Sequence, residues 1–303
     1  MLKSRFIFYI TIIFLLLNSC YSPKYIKRIG FASVNNNVCK RLTGKVILYA
    51  IFVDSKYTHP WSEYDIESTL DSINTAIEWI EKKAKEDTVF LDIDLKYHSA
   101  INGSIPIKNN FTKKTLSATL YKRPLWSGIK DIYRWADKIA AVAGKSLPKD
   151  TSNLINMKNG LKNRERLIAR LRDIYKTDKV ALMYFVNNYY TDEISLTLDV
   201  SDDNNVEFSI VSFKNPSVIA HEFLHIFGAY DLYLTPFVKK KRDIKKKEKL
   251  MEMFPDEIMA FAHRDINSLQ LSGFTKYLIG WEKELPQEYH KLLFGKGYFA
   301  VKY

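Results

Sequence analysis

About three quarters of the way along the chain stands HEFLHIFGAYD, from His221 to Asp231. Two imidazoles lie four residues apart, with one carboxylate between them and another six residues beyond the second. On a helix, positions i and i+4 share a face, with Cβ atoms about 5–6 Å apart. His221 and His225 can then turn ring nitrogens to a single ion. Glu222 sits one step round the helix and reaches the edge of such a site without ligating. Two imidazoles holding zinc, beside a carboxylate that takes a proton from water, make a hydrolytic centre. Zinc lowers the pKa of its water to about 7, so hydroxide is available at neutral pH.

The five-residue pattern HExxH recurs by chance in roughly one chain per hundred of this length. A core helix with hydrogen-bonded histidines produces it too, so further residues must decide. Gly228, three residues after His225, lets the chain leave the helix in a left-handed turn. Asp231, three residues further, can be carried back to the ion as a third ligand. Three protein ligands leave a fourth position open, which catalysis requires. Glu252 and Glu257 also lie in range to supply a carboxylate from a later helix. Met259 lies in a downstream turn, PDEIMAF. The remaining histidines, His59, His98, His263 and His290, sit at strand ends, in loops or in the tail and are not expected to ligate.

Several elements must position these residues. GKVILYAIFVD, Gly44 to Asp54, is a short continuous apolar run and predicts a buried strand. In the stretch that follows, Ile66, Leu70, Ile73, Ile77 and Ile80 recur at helical spacing and give one apolar face. Residues 89–98 alternate and predict a half-buried strand. Further helices are expected over 128–143 and 161–175, and further strands over 179–188 and 206–213. NPSVIAHEFLHIFG then predicts a helix, with Asn215 or Ser217 near its N-cap, Pro216 in its first turn and Gly228 as its stop. The basic run KKKRDIKKKEK, Lys239 to Lys249, reads as a solvated loop or exposed helix end.

The 303 residues suffice for one large domain or two small ones. With 47% hydrophobic and 26% charged residues, the composition is that of a globular protein rather than a disordered one. The formal net charge is +12, but the lysines are spread along the chain. No nucleic-acid-binding signature accompanies them, so no nucleic-acid partner is expected. At the N-terminus, Lys3 and Arg5 precede an apolar run from Phe6 to Leu17, too short to span a membrane and suited to a signal peptide over 1–19. LNSC, Leu17 to Cys20, resembles the lipobox of bacterial lipoproteins. That resemblance implies a lipidated Cys20, a tether over 20–43 and an extracytoplasmic protein held to an envelope membrane by its lipid. Cys39 is then the one remaining thiol, so stability must come from the core rather than an intramolecular disulfide.

With HEFLHIFGAYD and DEIMAF both present, the chain resembles the metzincin zinc peptidases. That family carries HExxHxxGxxH or HExxHxxGxxD, followed by a methionine-containing turn. The aspartate form is similar to the snapalysin-like branch in its third ligand. The resemblance spans roughly Gly44 to Trp281, and its specific part is Pro216 to Asp231 with Ile258 and Met259. It implies an α+β, metzincin-like (zincin) catalytic domain over 44–285, with a tail over 286–303. A twisted mixed sheet with long helices would form an upper lobe, 44–228, above an irregular lower lobe, 229–285. His221, His225 and Asp231 would bind Zn2+, Glu222 would be the general base, and Met259 would floor the site. The substrate would be a protein or peptide, the enzyme a monomer, and residues 206–213 the rim strand that pairs with substrate. One place departs from the family: Phe261 stands where several members have a tyrosine that stabilises the transition state. Zinc, Tyr230 or Tyr277 would have to replace it. A surface-binding lipoprotein that keeps the fold without turnover is the alternative, and the intact Glu222 speaks against it.

Overall fold

Strand β1 (Gly44–Asp54) is apolar without interruption from Val46 to Val53, because both faces are covered there. The computed structural model describes residues 41–55, 58–98, 107–108, 125–148, 162–187, 195–198, 206–212, 214–234, 241–285, 287 and 289. The expected signal peptide, Cys20 and most of the tether lie outside these residues. Among the described residues no helix is long and apolar enough to cross a membrane.

The chain forms a mixed α/β fold. Helix α1 (Glu63–Glu86) follows β1, and β2 (Leu91–Tyr97) and the two-residue β3 (Ile107–Lys108) come next. Helices α2 (Leu125–Ser146) and α3 (Asn163–Tyr175) precede β4 (Val180–Val186), the short β5 (Leu196–Leu198) and β6 (Phe208–Val211). Helix α4 (Pro216–Ile226) carries the histidines, and α5 (Lys241–Met253), α6 (Ile258–Phe261) and α7 (Gly273–Leu278) complete the described helices. The sheet runs in the order β2-β1-β4-β6-β5, with β3 beside the end of β1. All its pairings are parallel except that of β5 with β6. Helix α1 joins β1 to β2, and α2 and α3 lie between β3 and β4, as the long connections of parallel pairing demand; the sheet is mixed and carries long helices, as expected.

Side chains alternate across the sheet. Val46, Leu48, Ala50 and Phe52 face one core with α1 and α4, while Ile47, Tyr49, Ile51 and Val53 face the other with α2 and α3. Helix α1 starts on a capping box in which Ser62 and Asp65 satisfy each other's backbone N–H groups. Its apolar stripe, Ile66, Ile73, Ala76, Ile77 and Ile80, is buried. Among the described residues, the segment after α4 forms no separate core. Leu232, Leu250, Ile258, Met259, Phe274 and Ile279 join the cluster beneath α1 and α4.

Three expectations change. Leu42, at the end of the expected tether, is buried; its N–H donates to the Ile279 carbonyl, and its own carbonyl accepts from the Trp281 indole. The domain thus begins before Gly44. Within the basic run, residues 241–249 lie on helix α5, and Lys247 is buried rather than solvated. The strand over 206–213 is β6, an interior strand; β5, antiparallel beside it, forms the edge.

Candidate metal centre

Helix α4 is capped by Asn215, whose side chain accepts from the Ser217 N–H, and Pro216 occupies the first turn, where its missing N–H costs nothing. The Ser217 hydroxyl donates to the Ala262 carbonyl at 2.6 Å, tying the start of α4 to the end of α6. Ile219, Ala220, Phe223, Leu224 and Ile226 are buried, so α4 runs through the core rather than over the surface. His221 and His225 face one another across one turn, with ring centroids 4.6 Å apart.

Gly228 has φ +101° and ends the helix, its N–H donating to the His225 carbonyl at 3.0 Å. A Cβ there would lie 3.2 Å from the Leu278 carbonyl oxygen. Backbone in that region is strained for other residues by about 1–3 kcal/mol. Gly228→Ala is expected to lower the urea midpoint of metal-free protein accordingly, and an unchanged midpoint would show that the turn tolerates a side chain.

The turn returns the chain to the histidines. The His225 Nδ1 lies 2.7 Å from the Ala229 carbonyl, and the His221 Nδ1 lies 3.1 Å from the Ile258 carbonyl. A carbonyl only accepts, so both Nδ1 atoms carry hydrogen. In neutral rings both Nε2 atoms are then bare lone pairs. They stand 3.1 Å apart, and Asp231 Oδ1 lies 3.2 Å from the His221 Nε2 and 3.0 Å from the His225 Nε2. With both rings neutral the three converging atoms would all be acceptors, so an added proton or a metal ion is what joins them. Donors bound tetrahedrally to zinc at about 2.0–2.1 Å stand about 3.3 Å apart, close to this triangle. The three residues form a group able to hold a metal ion.

The charges agree with this reading. Burial by itself pushes the His225 imidazole down, but the Asp231 carboxylate, Glu222 and the Ala229 carbonyl outweigh it and raise the group to about 9. Burial would push the Asp231 carboxyl up, yet the two rings hold it well below the usual carboxylate range. Both shifts express a site that favours added positive charge. The Asp231 side chain is 24% exposed against 4% for His221, so the triangle opens to solvent on the aspartate side.

Glu222 is outside the triangle. Burial raises its carboxyl group against the opposing influence of His225, His221 and Thr197. The Thr197 hydroxyl donates to Glu222 Oε2 at 2.6 Å.

The two rival carboxylates are placed elsewhere. Glu252 is exposed on α5. Glu257 is buried as the N-cap of α6, where it accepts from the Met259 and Ser272 N–H groups and the Thr275 hydroxyl. Met259 is buried, and its carbonyl accepts from the Leu232 N–H at 2.9 Å. Consecutive carbonyls of α6 thereby hold both ends of the site, Ile258 through His221 and Met259 through the residue after Asp231. Phe261, where the resemblance would place a tyrosine, is covered by the Arg264 guanidinium at 3.9 Å from its ring. Tyr230 and Tyr277 are half-buried against the core.

Four residues at the site went unnoticed in the sequence. Thr197 and Ser209 contact Glu222 from the sheet. The Tyr233 ring lies 6.1 Å from that of His221. The Lys247 ammonium donates to the Asp231 carbonyl. The one sequence signal for Lys247 is that it stands between Ile244 and Leu250 at three-residue spacing, on one helical face; burial lowers its pKa to about 8, with Asp231 opposing. No protein-family model, curated protein or solved structure matches the chain, so the chemistry of this centre rests on its own residues.

Proposed function

We propose that the chain is a zinc-dependent endopeptidase of the metzincin type. The observation that carries this reading is the triangle of two imidazole Nε2 atoms and one carboxylate oxygen, with Glu222 beside it and outside it. Mixed imidazole and carboxylate donors suit zinc. A zinc ion held there supplies a Lewis acid that acidifies water and polarises a carbonyl.

The chain's own groups do the rest. The carbonyls of Ile258 and Ala229 fix the histidine tautomers and orient the rings, as partners of metal-bound histidines commonly do. Glu222 takes the proton of the attacking water and passes it to the nitrogen of the departing amine. An extended peptide adds to the outer edge of β5 through main-chain hydrogen bonds, and β5 has no further partner strand among the described residues. The zincin architecture and the lipid anchor on Cys20 belong to the same proposal; the anchor is supported by the sequence around Cys20.

Metal content and cleavage test it together. The full chain, purified in mild detergent, is expected to carry one zinc per chain and to cleave peptides in a mixed library. A chelator should stop cleavage and added zinc restore it. Absence of any stoichiometric transition metal would sink the metal centre. Bound zinc with peptide binding but no cleavage would favour the surface-binding alternative.

A further inference from the structure

Strand β5 brings one polar side chain to the centre. Leu196 and Leu198 pack on the sheet face covered by α2 and α3. Thr197 therefore points the other way, toward α4. It pairs in register with Ser209 of β6, and the two hydroxyl oxygens lie 2.7 Å apart.

Both hydroxyls reach Glu222. Thr197 Oγ1 lies 2.6 Å from Glu222 Oε2 and 3.1 Å from the Glu222 carbonyl oxygen. Ser209 Oγ lies 3.0 Å from the same carbonyl. Two hydroxyl hydrogens serve these contacts, and an ionised carboxylate and a carbonyl can only accept. Thr197 gives its hydrogen to Oε2, at a distance typical of a charge-assisted bond. Ser209 gives its own to the carbonyl. Oε2 is thereby held, and Oε1 has no hydrogen-bond partner among the described residues. A slip of β5 by one residue would turn Thr197 away and two leucines inward, so the register of the strand sets this contact.

We propose that Thr197 is a positioning residue for Glu222, which fixes Oε2, leaves Oε1 to handle the proton, and makes alignment of the base depend on strand β5. This rests on the peptidase reading. Strand β5 has three residues and, among the described residues, lies at the sheet edge and pairs on one side only. A peptide that pairs along its outer edge orders the strand, and through Thr197 it orders the base. Binding energy from remote residues is then spent on the chemical step. The favoured substrates are extended polypeptide segments that run along β5. Short peptides around the same scissile bond lose kcat and not only affinity.

Wild type, T197V and T197S are compared as full chains. Val keeps the shape of Thr without the hydroxyl, and Ser keeps the hydroxyl. The first readout is urea unfolding of metal-free protein in a double-mutant cycle of T197V with E222L. A coupling of about tenfold in the unfolding equilibrium is expected. Additivity within about twofold overturns the proposal. The second is kcat and KM on a long peptide and its truncated form. T197V is expected to lower kcat on the long peptide about 10–100-fold, with KM little changed, zinc content intact and recovery in T197S. A T197V enzyme with wild-type kcat, or T197S as impaired as T197V, overturns it. If wild type holds zinc and cleaves nothing, the peptidase reading fails, and the cycle by itself carries or overturns the contact of Thr197 with Glu222.

Discussion

Glu222→Gln is expected to keep its zinc and to lose peptide cleavage by about 10²–10⁴-fold, the usual contribution of a positioned general base. The amide matches the carboxylate in size, and its oxygen still accepts from the Thr197 hydroxyl, which bonds Oε2 at 2.6 Å in the wild type. The fold around α4 should therefore stand. What is lost is a basic oxygen able to take a proton from water. Glu222 lies outside the group formed by His221, His225 and Asp231, so the metal should stay. Zinc stoichiometry and turnover are measured on the same sample. A variant that loses its metal would place Glu222 among the ligands. A variant that keeps full turnover would move the base elsewhere. A catalytically dead, zinc-loaded variant should also trap an intact peptide in the cleft.

Asp231→Ala should produce the opposite pattern, with the metal lost first. Outer partners of metal-bound residues typically cost about 10–100-fold in affinity when removed, and loss of a direct ligand should exceed that. The aspartate oxygen lies 3.0 and 3.2 Å from the two histidine nitrogens, and no other carboxylate among the described residues joins that group. Competition against a chelator of known affinity reads the change. Glu252→Ala is the control and should leave zinc affinity unaltered, because that side chain is exposed on α5. Glu257→Ala should act differently again. Its removal strands the Ser272 N–H and the buried Thr275 hydroxyl, so it should destabilise the fold by about 1–3 kcal/mol. If Glu257→Ala removed zinc while Asp231→Ala retained it, the third ligand would come from the later helix.

Local rules explain how much of this centre was legible beforehand. The shared face of His221 and His225 follows from helical periodicity, which depends only on spacing. Gly228 marks the exit because few other residues adopt its backbone angles. The apolar runs of β1 and β4 announce strands buried on both faces, and the isoleucines of α1 announce its inward face. Each of these signals lies within about one turn or one strand of the residue it describes. That is why the elements were expected close to where they are, although α2, expected over 128–143, covers Leu125–Ser146.

The rest required the folded chain. Asp231 and Glu257 are both carboxylates in range, and the spacing from His225 through Gly228 favours Asp231 without showing where either side chain goes. The structure separates them by what surrounds each: Glu257 is occupied by hydrogen-bond donors of α6 and α7, while Asp231 faces the Nε2 atoms of both histidines. The rim strand was misassigned to 206–213 because VEFSIVSF has the stronger strand pattern. LTL, with three residues, has almost no periodic signal, yet β5 takes the edge, since sheet order is set by pairing between distant segments. Thr197 reaches Glu222 across 25 positions and Lys247 reaches Asp231 across 16. The sequence by itself determined which residues share the face of one helix and where that helix must end, because those are properties of a few consecutive backbone angles. Only the tertiary structure decided what surrounds each carboxylate and which strand holds Glu222, because those depend on what packing brings together from far along the chain.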